Sequence, residues 1–198
     1  MRKIVLLLLV FTGLIASPCW AAGVEAELSV GNTSVEGGVH FINDMANGFW
    51  KAGGSVLYTD DDYTEYKWLE LDFTVGNELV PGLTCEVGLK GIAGEAEDYG
   101  VTGDVGAVAF AGRVVYVFPK QGMPVPVEAF AGLAYAPEIL SFQDTEDYLA
   151  GYIGIGVRIV RNATIILKYN AYDVDLESGP GKWNLDDGQF RLGLVMRF

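Results

Sequence analysis

The chain has 198 residues, of which 51% are hydrophobic and 20% charged, enough for one domain with a sizeable core or two small ones, and too apolar for a disordered chain. Thirteen basic residues against 26 acidic ones give a net charge of −13, which leaves no electrostatic basis for binding nucleic acid. Two Cys and one His exclude a disulfide scaffold and a His-rich metal site, while 26 Gly with 10 Tyr and 10 Phe point to β-structure with close backbone approaches.

Residues 1–21 read as a cleaved export signal. Arg2 and Lys3 form a short positive region, Ile4 to Ile15 an apolar stretch too short for a spanning helix, and Cys19 and Ala21 place small residues at a cleavage point after Ala21. A membrane anchor and a lipoprotein cleavage before Cys19 are the alternatives, and Pro18 fits the second badly. Cleavage after Ala21 removes Arg2 and Lys3, takes the charge from −13 to −15, and leaves Cys85 as the one thiol.

From residue 22 onward the apolar residues recur with period two, not 3.6. Strands are expected near 24–32, 34–42, 48–58, 65–76, 83–94, 104–118, 126–136, 147–160, 164–174 and 188–198. The first two are the weakest, so eight strands is the alternative to ten. On the fourth, Leu69, Leu71, Phe73 and Val75 alternate with Trp68, Glu70, Asp72 and Thr74. On the eighth, Ile153, Ile155, Val157 and Ile159 alternate with Gly154, Gly156 and Arg158. On the ninth, Ile165, Leu167 and Tyr169 oppose Lys168, Asn170 and Tyr172. Most of these strands reach the roughly 9–11 residues that a tilted membrane strand needs.

Alternation alone does not say whether the apolar face meets lipid or a soluble core. Three features favour lipid. The joins near 43–47, 77–82, 119–125 and 161–163 carry turn residues, and those between them are acidic and mostly longer: short periplasmic turns and longer external loops. The aromatics sort into two groups, with Trp50, Phe73, Phe118 and Phe198 toward one end and Tyr58, Tyr135, Tyr169 and Phe190 toward the other. Finally, the chain ends with Phe190, Leu192, Leu194, Met196 and Phe198 on one face. Arg191, Gly193, Met196 and Phe198 resemble the C-terminal assembly signal of bacterial outer-membrane barrels. An unpaired barrel edge has to be recognised before it meets hydrocarbon.

From about residue 48 the chain resembles the YfaZ family of predicted outer-membrane proteins. Phe130 to Phe142 (FAGLAYAPEILSF) with Tyr148 following, then Gly154-Ile155-Gly156-Val157-Arg158 with Tyr169 and Tyr172, and the acidic run Asp60-Asp61-Asp62 carry the likeness. It implies an outer-membrane barrel with no assigned activity.

No phosphate loop, CxxC or metal-ligand cluster is present, so no cofactor, no metal and no enzyme activity are expected. His40 is the one side chain that could serve a Ser-His-Asp site, and the structural reading is preferred. The inward faces are expected to carry charges of both signs: Glu70, Asp72, Glu86, Lys90, Arg113, Glu128, Arg158 and Lys168, together with Lys51, Lys67, Arg191 and Arg197. They suit either an ion-pair network that fills the lumen or a narrow polar channel. Weak Ca²⁺ or Mg²⁺ binding at Asp60, Asp61 and Asp62 and at Asp186 and Asp187 is weighed against plain solvation, which is preferred. The expectation is a ten-stranded all-β antiparallel transmembrane barrel over residues 22–198. It is expected to be a monomer with a structural or interaction role, outer-membrane lipid and lipopolysaccharide around it, and the barrel-assembly machinery as its partner. The alternatives are a narrow channel, a membrane enzyme and a soluble lipocalin-like binder.

Overall fold

A computed structural model describes residues 23–61, 63–119, 125–179 and 181–198. The expected export signal, residues 1–21, and Asp62 lie outside the described residues. The strands are β1 (Gly23–Val30), β2 (Ser34–Met45), β3 (Gly48–Asp60), β4 (Thr64–Val80), β5 (Leu83–Asp98), β6 (Val101–Val117), β7 (Val127–Ala136), β8 (Ser141–Gln143), β9 (Thr145–Val160), β10 (Ala163–Ser178) and β11 (Gly181–Arg197).

Every pairing is antiparallel. Ten strands form the wall, each beside its neighbour in sequence, except that β7 pairs with β9 and the short β8 covers the far part of β6. The ring closes where β1 meets β11, with Glu25 opposite Arg197 and Val30 opposite Leu192. There Val24 N–H donates to Phe198 O (3.0 Å) and Phe198 N–H to Val24 O (2.8 Å). Closure leaves no open edge, the condition for a sheet to stand in hydrocarbon.

Alternation sets the faces. Leu71, Phe73, Ile153, Ile155, Leu167 and Leu192 are exposed on the outer wall, whereas Glu70, Lys168 and Arg191 are buried inside. This distribution, apolar outside and charged inside, is that of a barrel wall built to meet lipid, the reverse of a soluble barrel. Trp50 stacks on Phe73 (6.2 Å), and Tyr169 meets Phe190 at a tilt (4.8 Å), toward opposite ends of the apolar band.

The strands outrun the expected ones at the end away from the termini, the far end. Glu95, Glu97 and Asp98, then Asp173, Asp175 and Glu177, then Asp186 and Asp187 belong to paired ladders of β5, β10 and β11, not to long acidic loops. Only the far-end join 137–144, which holds a single 3-10 turn at Glu138–Leu140 and β8, is long. The physical reason lies on the inner face, where Val105, Val174, Leu176 and Leu185 continue the alternation and are fully buried. Their burial keeps the ladder intact beyond the lipid, while Glu95, Glu97, Asp173, Asp175, Glu177 and Asp186 face water and the half-buried Asp98 and Asp187 accept from Thr64 and Tyr66. The join 118–126, at the end that carries the termini, is itself one of the longer ones.

Candidate functional site

The lumen is built in two layers. The layer nearer the termini is charged. Lys51 and Arg197 both donate to Glu25 (2.7 Å each), Lys90 to Glu70 (2.7 Å), and Lys168 to Glu27 (2.5 Å) and Glu36 (2.9 Å). Arg191 is completely buried and donates to Ser34 Oγ (2.9 Å), Glu36 (2.9 Å) and the Tyr172 hydroxyl (3.2 Å). His40 Nε2 lies 2.9 Å from Asp72 Oδ1. Two pairs are looser: Arg113 and Glu86 at 3.6 Å, and Arg158 and Glu128 at 4.0 Å. Carboxylates this far inside persist only because each has a cation opposite it.

The far layer is aromatic and aliphatic. Tyr66 stacks on Trp68 (4.5 Å), and Trp68 meets Tyr172 (5.3 Å) and Tyr148 (6.3 Å) edge-on. Leu57, Ile92, Val105, Val174, Leu176 and Leu185 pack around them. Tyr66 also hydrogen-bonds Asp187, to which Gln189 donates at 2.8 Å. Glu70 joins the layers, accepting from Lys90, from Ser55 Oγ (3.1 Å) and from the Tyr148 hydroxyl (3.4 Å).

Of the sequence-expected lumen residues, Glu70, Asp72, Glu86, Lys90, Arg113, Glu128, Arg158 and Lys168 point inward, as do Lys51, Arg191 and Arg197. Lys67 does not. It pairs with Glu95 at 2.8 Å on the outer wall, both more than half exposed, because its parity on β4 is that of Leu69. Asp186 and Asp187 point to opposite faces of β11, so they cannot share a cation. Sequence reasoning missed Glu25, Glu27 and Glu36, the carboxylates that hold four of the lumen cations. Their signal was the alternation Glu25-x-Glu27-x-Ser29 in the stretch with the weakest strand pattern. It also missed the aromatic layer, which Tyr66, Trp68, Tyr148 and Tyr172 announce by sharing the inward parity.

The residues of the terminal pattern divide in two. Met196 and Phe198 lie on the outer face, whereas Arg191 and Gly193 turn inward. At Gly193 an added Cβ would lie 2.7 Å from Ser29 Cβ and 2.9 Å from Leu28 O, so β11 can close against β1 there only with glycine.

Above the band, Lys182 pairs with Glu146. That hydrogen bond lowers the Glu146 carboxyl below its ordinary value and raises the Lys182 ammonium.

No family model and no curated protein matches the chain. Among solved structures it is similar to the translocator domain of the autotransporter NalP from Neisseria meningitidis, at 13% identity over 100% of this chain and 95% of that one, with a TM-score of 0.46. It is also similar to the NanC porin (12%, 89% and 99%, 0.44) and to the beta domain of the Bordetella autotransporter Brka (16%, 88% and 97%, 0.41).

Proposed function

We propose that the chain is a small, non-conducting outer-membrane barrel with a structural or interaction role and no enzymatic activity. In this reading it is exported by a cleaved signal and assembled through its terminal Phe. It stands as a monomer among lipid and lipopolysaccharide, and its far rim meets the outside. Membership of the YfaZ family belongs to the same proposal. The observation that carries it is the far layer, where Tyr66, Tyr148, Val174 and Leu176 are fully buried across the lumen. A narrow lumen filled by packed side chains is a core, not a pore.

A narrow channel is the second reading. A cavity of about 140 Å³ among the charged residues, lined by Glu36, Lys90, Arg113 and Lys168, favours it. Conductance of refolded protein in planar bilayers decides between the two. The wild type is expected to stay at baseline, and Trp68→Ala/Tyr148→Ala, which hollows the far layer, is expected to conduct. Stable wild-type conductance overturns the proposal in favour of a channel.

A further inference from the structure

We infer that the charged half of the lumen binds a small organic monocarboxylate, entering from the end that carries the termini and held by Arg113 beside Phe130 and Tyr152. The first observation is a gradient of exposure. Arg197 and Arg158 keep 39% and 36% of their side-chain surface and Lys90 and Arg113 keep 21% each, while their partners Glu25, Glu128, Glu70 and Glu86 keep 9% or less. At the far side of the same layer Arg191 keeps none. Among the described residues, then, Arg197, Arg158, Lys90 and Arg113 are the more accessible partners of their pairs, whereas deeper in the layer Lys168 (7%) is less exposed than its partners Glu27 (23%) and Glu36 (16%).

The second observation is Arg113 itself. Lys51, Lys90, Lys168, Arg191 and Arg197 all make hydrogen bonds of 2.5–2.9 Å to carboxylates. Arg113 makes no side-chain hydrogen bond among the described residues. Glu86 stands off at 3.6 Å, and Nε is buried with no acceptor. A guanidinium carries five donors in a planar fork matched to a carboxylate, and interior donors are as a rule satisfied.

The third is the wall beside it. Gly132 lies between Arg113 and Tyr152 in the ladder, and a Cβ there would sit 2.3 Å from the Tyr152 ring, so the ring lies across Gly132 toward Arg113. The Phe130 ring centroid is 5.8 Å from Arg113 Cζ and packs with Ile166 and Val195. A cation against an aromatic wall, in a cavity of about 140 Å³, suits a carboxylate on a small apolar or aromatic body. A cavity of about 150 Å³ holds benzene.

Benzoate is therefore the probe. Calorimetric titration of the refolded mature barrel in detergent is expected to give saturable one-to-one binding of benzoate. Benzamide, isosteric and neutral, should bind at least about tenfold more weakly. Arg113→Lys keeps the charge and loses the fork, and should also cost about tenfold. Absence of saturation, equal affinity for benzamide, or unchanged affinity in a folded Arg113→Lys overturns the inference. The benzamide comparison uses the wild type alone and so stands even if the variant fails to fold. The inference goes beyond the closed-barrel reading, and the two fail separately: binding is read in detergent and closure by conductance.

Discussion

His40 on β2 reaches Asp72 on β4, 2.9 Å away, over the strand that lies between them. It can do so because the residue beneath it, Gly53 on β3, has no side chain. An added Cβ would fall 2.5 Å from His40 Cδ2 and 2.3 Å from Val39 O. The single His of the sequence is thus a partner for a lumen carboxylate, positioned by a glycine that neither residue contacts in sequence.

Gly53→Ala should therefore disturb both the β2–β3 ladder and this pair, at a cost of about 1–3 kcal/mol, the range for overpacking an ordered interior. His40→Ala should cost about the same by leaving the Asp72 carboxylate without its donor. Urea unfolding from lipid vesicles measures both. A midpoint unchanged in Gly53→Ala would mean that β2 and β3 do not approach as described.

Ile155 lies on the outer wall and Gly156 faces Glu128, whose Cγ would be 2.8 Å from an added Cβ. Ile155→Arg near the midplane should cost about 2–4 kcal/mol. The sequence alone also suggests that polar replacement at Tyr172, on the inner face, is milder than at Tyr169. The packing reverses that order. Tyr172 is 7% exposed, accepts from Arg191 and meets Trp68, whereas Tyr169 lies in the exposed girdle against Phe190. Tyr172→Ser should cost about 3–5 kcal/mol, the range for deleting a buried aromatic, and more than Tyr169→Ser. Equal or reversed unfolding midpoints would contradict the two-layer lumen.

Phe198 carries two roles that separate by experiment. Its backbone closes the ring against Val24, and its exposed ring completes the outer face of β11. Phe198→Ala keeps the backbone bonds. It should refold in detergent like the wild type, with the same gel shift on boiling, yet accumulate less in the outer membrane of cells. Normal accumulation in cells would remove the ring from any assembly signal.

The far-rim pair gives a pH signature. Because Lys182 lowers the Glu146 carboxyl, the pair's contribution is complete above the unfolded carboxyl value and is lost as pH falls through the folded one. The raised Lys182 value places its loss at alkaline pH, above the ordinary lysine range. Carbon NMR titration should show the Glu146 midpoint below 4.5 and rising toward it in Lys182→Gln. A midpoint indifferent to Lys182 would show that the pair does not persist in water.

Strand positions, wall parity and the inward set from Glu70 to Lys168 were legible in the sequence, because a period of two ties each residue's face to its number. The C-terminal face from Phe190 to Phe198 was legible for the same reason. Parity also explains the one misplaced lumen charge, Lys67, which shares the outward register of Leu69. The partners were not legible. Glu25 serves Lys51 and Arg197, and Glu36 serves Lys168 and Arg191, across separations of 26 to 172 residues, and all of these pairs but the one with Lys51 exist only once β1 meets β11. Nor could sequence say that Tyr66, Trp68, Tyr148 and Tyr172 converge at one level of the lumen. Alternation determines which way a side chain points, but only closure of the ring, with its particular stagger between strands, determines what it meets.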